Sequence, residues 1–124
     1  MRLTALEDLR EEVRSSLTAT GLFATVVTTE TLGVDLMLRP VIQFERMTHS
    51  GESDPLIALS VRFELRSAGS NGMVWEREYT EKTPPELLFQ IPFPDRARLI
   101  ASRIIRHRIV ESLRLDLTRF LLGY

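Results

Sequence analysis

The chain has 124 residues, enough for one domain and no more. Its hydrophobic (44%) and charged (27%) fractions are ordinary for a globular protein, and a net charge of −1 gives no global attraction to nucleic acid or anionic lipid. The absence of cysteine excludes disulfides, thiolate metal sites and cysteine nucleophiles, and no apolar run approaches the roughly 20 residues that cross a bilayer.

No signal-peptide pattern is visible at the start; Met1-Arg2-Leu3-Thr4 passes directly into a charged helix. Thr4 and Glu7 have capping-box spacing. Leu6, Leu9, Val13 and Leu17 then recur at intervals of three and four, which predicts one apolar stripe. Gly21 is placed to stop this helix in a left-handed conformation, with Leu22 folding back onto Leu17.

Phe23 to Thr29 is rich in β-branched residues and reads as a short strand. Val34, Leu36, Leu38, Ile42 and Phe44 alternate with Asp35, Met37, Arg39, Gln43 and Glu45, which predicts a half-buried strand. Pro40 places that strand at an edge or marks a bulge, and Thr48 to Asp54 reads as a polar loop. Ile57, Leu59, Val61, Phe63 and Leu65 form a second alternation, and the return strand carries Met73, Trp75 and Tyr79 on one face. Between them Asn71-Gly72 suits positive φ, so the pair reads as an antiparallel hairpin. Arg62, Glu64, Arg66, Glu76, Arg77 and Glu78 are expected on its outward face, either simply solvated or serving as a charged docking surface. Trp75 is read as a core residue, with a ligand platform as the alternative.

Thr83 to Pro94 combines four prolines with Leu87, Leu88, Phe89, Ile91 and Phe93. It either lids the core or offers a binding surface. Asp95 can cap a final helix running to Leu122, about 28 residues and roughly 42 Å long. Ala97, Ala101, Ile104 and Ile105 form one stripe on it; Ile109, Leu113, Leu117, Phe120 and Leu121 form another, rotated around the axis. Either the helix bends or its second half meets a different partner. From Asp95 onward, seven arginines against Asp95, Glu111 and Asp116 give a local charge of +4; the other 94 residues carry nine basic and fourteen acidic side chains, a charge of −5. Arg103, Arg106 and Arg108 are candidate contacts for an acidic partner or lipid head groups.

His49 and His107 have no second ligand at metal-site spacing, and no Gly-x-Ser-x-Gly or phosphate-binding loop occurs. The expectation is a non-enzyme without cofactor or metal.

Three blocks carry a resemblance: Leu17 to Val27, with Gly21-Leu22-Phe23 at its centre; Asp35 to Glu45; and Val61 to Arg66 followed by Val74 to Tyr79. Their order resembles the auxiliary lipoprotein component of Gram-negative ABC-type lipid transport systems, and is similar to the lipopolysaccharide-assembly lipoprotein fold. The resemblance covers about residues 10 to 120. Those families begin with an extra strand and a lipidated cysteine, neither of which is in this chain. Both departures would follow if a leader and first strand lie upstream of Met1. An open sheet edge in place of that strand leads us to expect a homodimer.

The expected fold is a single α/β domain over 1–124, of the two-layer α+β sandwich type. Its mostly antiparallel sheet would have about four strands with two helices on one face, in the order α-β-β-β-β-α. The resemblance implies a periplasmic, outer-membrane-associated accessory domain that contacts a transport protein or lipid. The alternatives are a small cytosolic dimeric chaperone or interaction module, and a small-molecule-binding domain. Expected partner contacts are Leu88, Phe89, Ile91, Phe93, Leu117, Phe120 and Leu121, with no nucleic acid and no transmembrane segment.

Overall fold

The computed structural model describes residues 6–23, 26, 35–50, 54–70, 72–82 and 94–123, with the backbone alone at 44–50, 54–57 and 94–99. Among these residues the order is α1 (Leu6–Ala19), β1 (Leu36–Ser50), β2 (Asp54–Ser67), β3 (Met73–Lys82) and α2 (Pro94–Leu122). The three strands form one antiparallel sheet in the order β1-β2-β3. The architecture is thus α-β-β-β-α, an α+β arrangement with three described strands where four were expected. The expected strand at 23–29 falls mainly outside the described residues, as do the Thr4 cap and the apolar segment 83–93.

Helix α1 buries Leu9, Val13 and Leu17, the stripe its spacing predicts. Gly21 ends it at φ 72°, and its amide donates to the Thr18 carbonyl at 3.2 Å. Leu22 does not fold back onto Leu17: it is exposed, and its amide is held by the Thr20 hydroxyl at 3.2 Å. Phe23 and Val26 pack against the core instead.

Strand β2 sits in the centre, and its inward residues Leu59, Val61, Phe63 and Leu65 are all buried. Pro40 lies opposite Phe63 in β1, an edge strand of the described sheet, where its missing N–H can face outward. The register shifts between Ile42 and Phe44. Ile42 pairs with Val61, whereas Phe44 pairs with Ser60, so the alternation expected to run from Val34 through Phe44 breaks at Gln43. The polar loop is shorter than expected, because β1 extends to Ser50 and β2 begins at Asp54. Residues 68–70 form a turn; Gly72 is not in the left-handed region, and Asn71 lies outside the described residues. Ala68 of this turn donates to the Asp35 carbonyl at 3.0 Å, tying it to the start of β1.

A second shift, between Leu65 and Arg66, places Met73 in register with Arg66 and leaves it exposed, so Met73 does not share the face of Trp75. Arg77 pairs with Phe63 and lies over the Trp75 ring at 5.8 Å. It therefore belongs to the helix-facing side of β3, not to the outward charges. Trp75 itself is a core residue.

Helix α2 starts at Pro94, one residue before the expected cap, which suits proline's fixed φ at a first helical position. It packs on β2, β3 and α1. Among its buried residues Ala101, Ile105, Ile109, Leu113 and Leu117 recur every four residues, with Ser102 and Val110 buried beside that row. Such a row drifts about 40° around the axis per step. Ala101 and Ile105 of the first stripe and Ile109, Leu113 and Leu117 of the second thus lie on one ridge that winds around α2 as it crosses the sheet.

Candidate functional site

Three surfaces concentrate chemistry. The first is a groove between α1 and α2, about 350 Å³, lined by residues that include Glu12, Ser16, Thr20, His107, Glu111 and Arg114. Its geometry starts from the α1 stripe. With Leu9, Val13 and Leu17 turned to the core, Glu12 and Ser16 sit one turn apart on the flank that meets α2. Arg106 Nε donates to Glu12 Oε1 at 2.8 Å, closing an ion pair across the two helices. His107 Nδ1 lies 3.6 Å from Glu12 Oε2, beyond hydrogen-bond range. Glu12 Oε2 and Ser16 Oγ are both buried without a hydrogen-bond partner. Arg114 Nη2 donates to Glu111 Oε2 at 2.8 Å, and this bond holds the Glu111 carboxyl below its ordinary range.

The second surface is the outward face of the sheet. The Ser60 hydroxyl donates to Glu78 Oε1 at 3.2 Å, with Gln43 Oε1 at 3.4 Å, and accepts from Thr80 at 3.0 Å. Glu64 is only 7% exposed. It takes Arg62 Nη2 at 3.1 Å and Arg66 Nη2 at 3.6 Å, while Arg62 Nε lies 3.6 Å from Glu76. Of the charges expected here, Arg62, Arg66, Glu64 and Glu76 pair with one another and cover the centre of the face, while Glu78 accepts from Ser60.

The third is the C-terminal half of α2. Phe120 is 41% exposed, and its ring lies 6.0 Å from that of Trp75. Leu115 and Leu122 are more exposed still.

The expected contact residues separate accordingly. Leu117 is 1% exposed and belongs to the core; Leu121 is partly buried against it; Phe120 reaches solvent. Leu88, Phe89, Ile91 and Phe93 lie outside the described residues. Arg103 and Arg108 are exposed, whereas Arg106 turns inward to Glu12. Sequence reading did not single out Glu12, Ser16 or Thr20 for the groove. The four-residue spacing of Glu12 and Ser16 shows a shared flank, but nothing local shows which part of α2 meets it.

Two solved bacterial structures share this fold. A Xanthomonas campestris protein of family DUF330 superposes with a TM-score of 0.70 at 17% identity, over 87% of this chain and 58% of its own. A candidate lipoprotein of Caulobacter crescentus CB15 does so with a TM-score of 0.64 at 15% identity, over 93% of this chain and 81% of its own. The chain thus spans a little over half the length of the Xanthomonas protein. No protein-family model matches the chain, and no curated protein does.

Proposed function

We propose that this chain is a non-catalytic accessory domain of a Gram-negative envelope transport system of the lipid or lipopolysaccharide trafficking type. It acts by contact, from a periplasmic, outer-membrane-associated position. The observation that carries this reading is the fold shared with a candidate lipoprotein over 93% of the chain. The sequence blocks around Gly21-Leu22-Phe23, Asp35 to Glu45 and the β2–β3 hairpin support it. The ion pairs also support it. Glu12, Glu64 and Glu111 are all engaged by arginines, leaving these carboxylates poorly suited to general acid or base work.

The test is fractionation of the full-length tagged gene product expressed from its own locus, followed by crosslinking. The expected result is recovery with the outer membrane and a crosslink to a transport component, weakened by Phe89→Ser and Phe93→Ser. Recovery in the soluble cytoplasmic fraction would overturn the reading in favour of a cytosolic interaction module.

One observation favours a second reading as a small-molecule binder: two buried polar atoms without partners beside a groove of about 350 Å³.

A further inference from the structure

The winding ridge of α2 has a consequence for its far end. Ala101 and Ile105 face the core in the first half of the helix. With a drift of about 40° every four residues, that side of the helix rotates away from the sheet as the chain advances. On a 3.6-residue wheel Arg108, Leu115, Arg119 and Leu122 fall within about 60° of one another, on the side the core has released. All four are exposed, Leu115 at 47% and Leu122 at 50%. Arg108 and Arg119 have no ion-pair partner among the described residues. Glu111 flanks the strip, but Arg114 neutralises it. Asp116, further round, accepts from Tyr79.

We propose that this strip docks on an anionic lipid surface, with the second half of α2 lying along the bilayer. Chemistry and size both favour that occupant. Basic and apolar side chains share one helix face, the pattern by which interfacial helices combine head-group attraction with shallow apolar insertion. No helix among the described residues is long and apolar enough to cross a membrane, so α2 lies on the surface. From Arg108 to Leu122 the strip is about 21 Å long, and one helix is about 10 Å wide. Two copies joined through it would bury only about 400 Å², against roughly 1,200 Å² for a stable protein interface. A bilayer needs no such area, because each basic residue near an anionic surface contributes about 1 kcal/mol and each leucine adds apolar insertion. The net charge of −1 conceals this local chemistry, because the acids lie mostly outside α2.

The inference deepens the accessory reading and rests on it for its setting. Vesicle binding is independent of cellular address, so the two can fail separately. The experiment is co-sedimentation of the full chain with vesicles of phosphatidylcholine alone and of phosphatidylcholine mixed with phosphatidylglycerol, with circular dichroism confirming each variant's fold. Binding is expected only to the mixed vesicles and should fall as salt rises. Arg108→Gln and Arg119→Gln should each lower it about fivefold, the change that corresponds to about 1 kcal/mol. Leu115→Ser and Leu122→Ser should each lower it roughly tenfold. Arg103→Gln, exposed on another side of α2, should leave it unchanged. The proposal is overturned by absent or equal binding to the two vesicle types, or by an equal loss with Arg103→Gln. A concentration-dependent dimer abolished by Leu115→Ser with Leu122→Ser would overturn it too, assigning the strip to a second copy.

Discussion

The two faces of β2 bury side chains by different physics. On the helix side Leu59, Val61, Phe63 and Leu65 join one apolar core, with α2 packed on the strand and α1 on α2. On the other side Ser60 and Glu64 are equally withdrawn from solvent, but under a layer of paired polar groups. Apolar burial is non-directional and contributes about 1.5–3 kcal/mol per large side chain. A paired polar group contributes about 1 kcal/mol net, yet removing its partner leaves a buried donor or acceptor unsatisfied. The helix face therefore holds the fold, while the outward face constrains which neighbours can sit beside β2. Four of the outward face's charges, Arg62, Arg66, Glu64 and Glu76, offset one another, which weakens their electrostatic attraction to a partner. That moves the expectation of a charged docking surface away from the sheet and toward the end of α2.

The largest effect expected from breaking this contrast is at Phe63, fully buried and in ring contact with Tyr79 at 6.0 Å. Phe63→Ala should cost about 3–5 kcal/mol in urea unfolding, through lost transfer energy and the cavity left behind. A cost near 1 kcal/mol would mean that the core beside α2 closes over the gap. On the opposite face, Glu64→Ala should cost about 1–3 kcal/mol, because Arg62 loses its close partner and Arg66 a neighbouring opposite charge. Adding Arg62→Ala should then recover part of that loss, measured as a double-mutant cycle. Strict additivity would show that the pairing contributes nothing and that the face is simply solvated.

The sequence revealed those elements whose signals are local. The three-and-four spacing of Leu9, Val13 and Leu17 and the stop at Gly21 depend only on neighbours along the chain, and both are seen. The β2 alternation is equally direct. The positions of the shifts near Gln43 and Val74 were not legible: Pro40 offered a bulge as one alternative, but three residues early, and Val74 itself is no glycine or proline. They matter because each changes which residues share a face beyond that point, as for Phe44 and Met73. Arg77 was misplaced for a related reason: its charge suggested solvent, while strand parity puts it beside Trp75 with its guanidinium over the ring. The groove was hidden by distance, since Glu12 and Arg106 meet across 94 residues.

Tyr79 carries a half-buried polar group on the apolar face, and it gives the smallest and most specific test. It stands opposite Val61, and its hydroxyl donates to Asp116 Oδ2 at 2.7 Å, joining β3 to α2. Burial, then the hydrogen bond and the negative charge of Asp116, push its ionisation above the ordinary value of 10.0. A group whose folded value is raised stabilises the fold fully below its unfolded value, and that contribution is lost as pH climbs toward the folded one. Tyr79→Phe should therefore cost about 1 kcal/mol near neutral pH, the net value of one hydrogen bond. The gap between wild type and Tyr79→Phe should stay constant up to about pH 10 and close above it, because the variant has no phenol to ionise. Urea midpoints measured in parallel for both proteins isolate this term, since the other titrating groups are common to both and largely cancel. A gap that persists unchanged well into the alkaline range would show that the strand-to-helix tie does not depend on the Tyr79 proton.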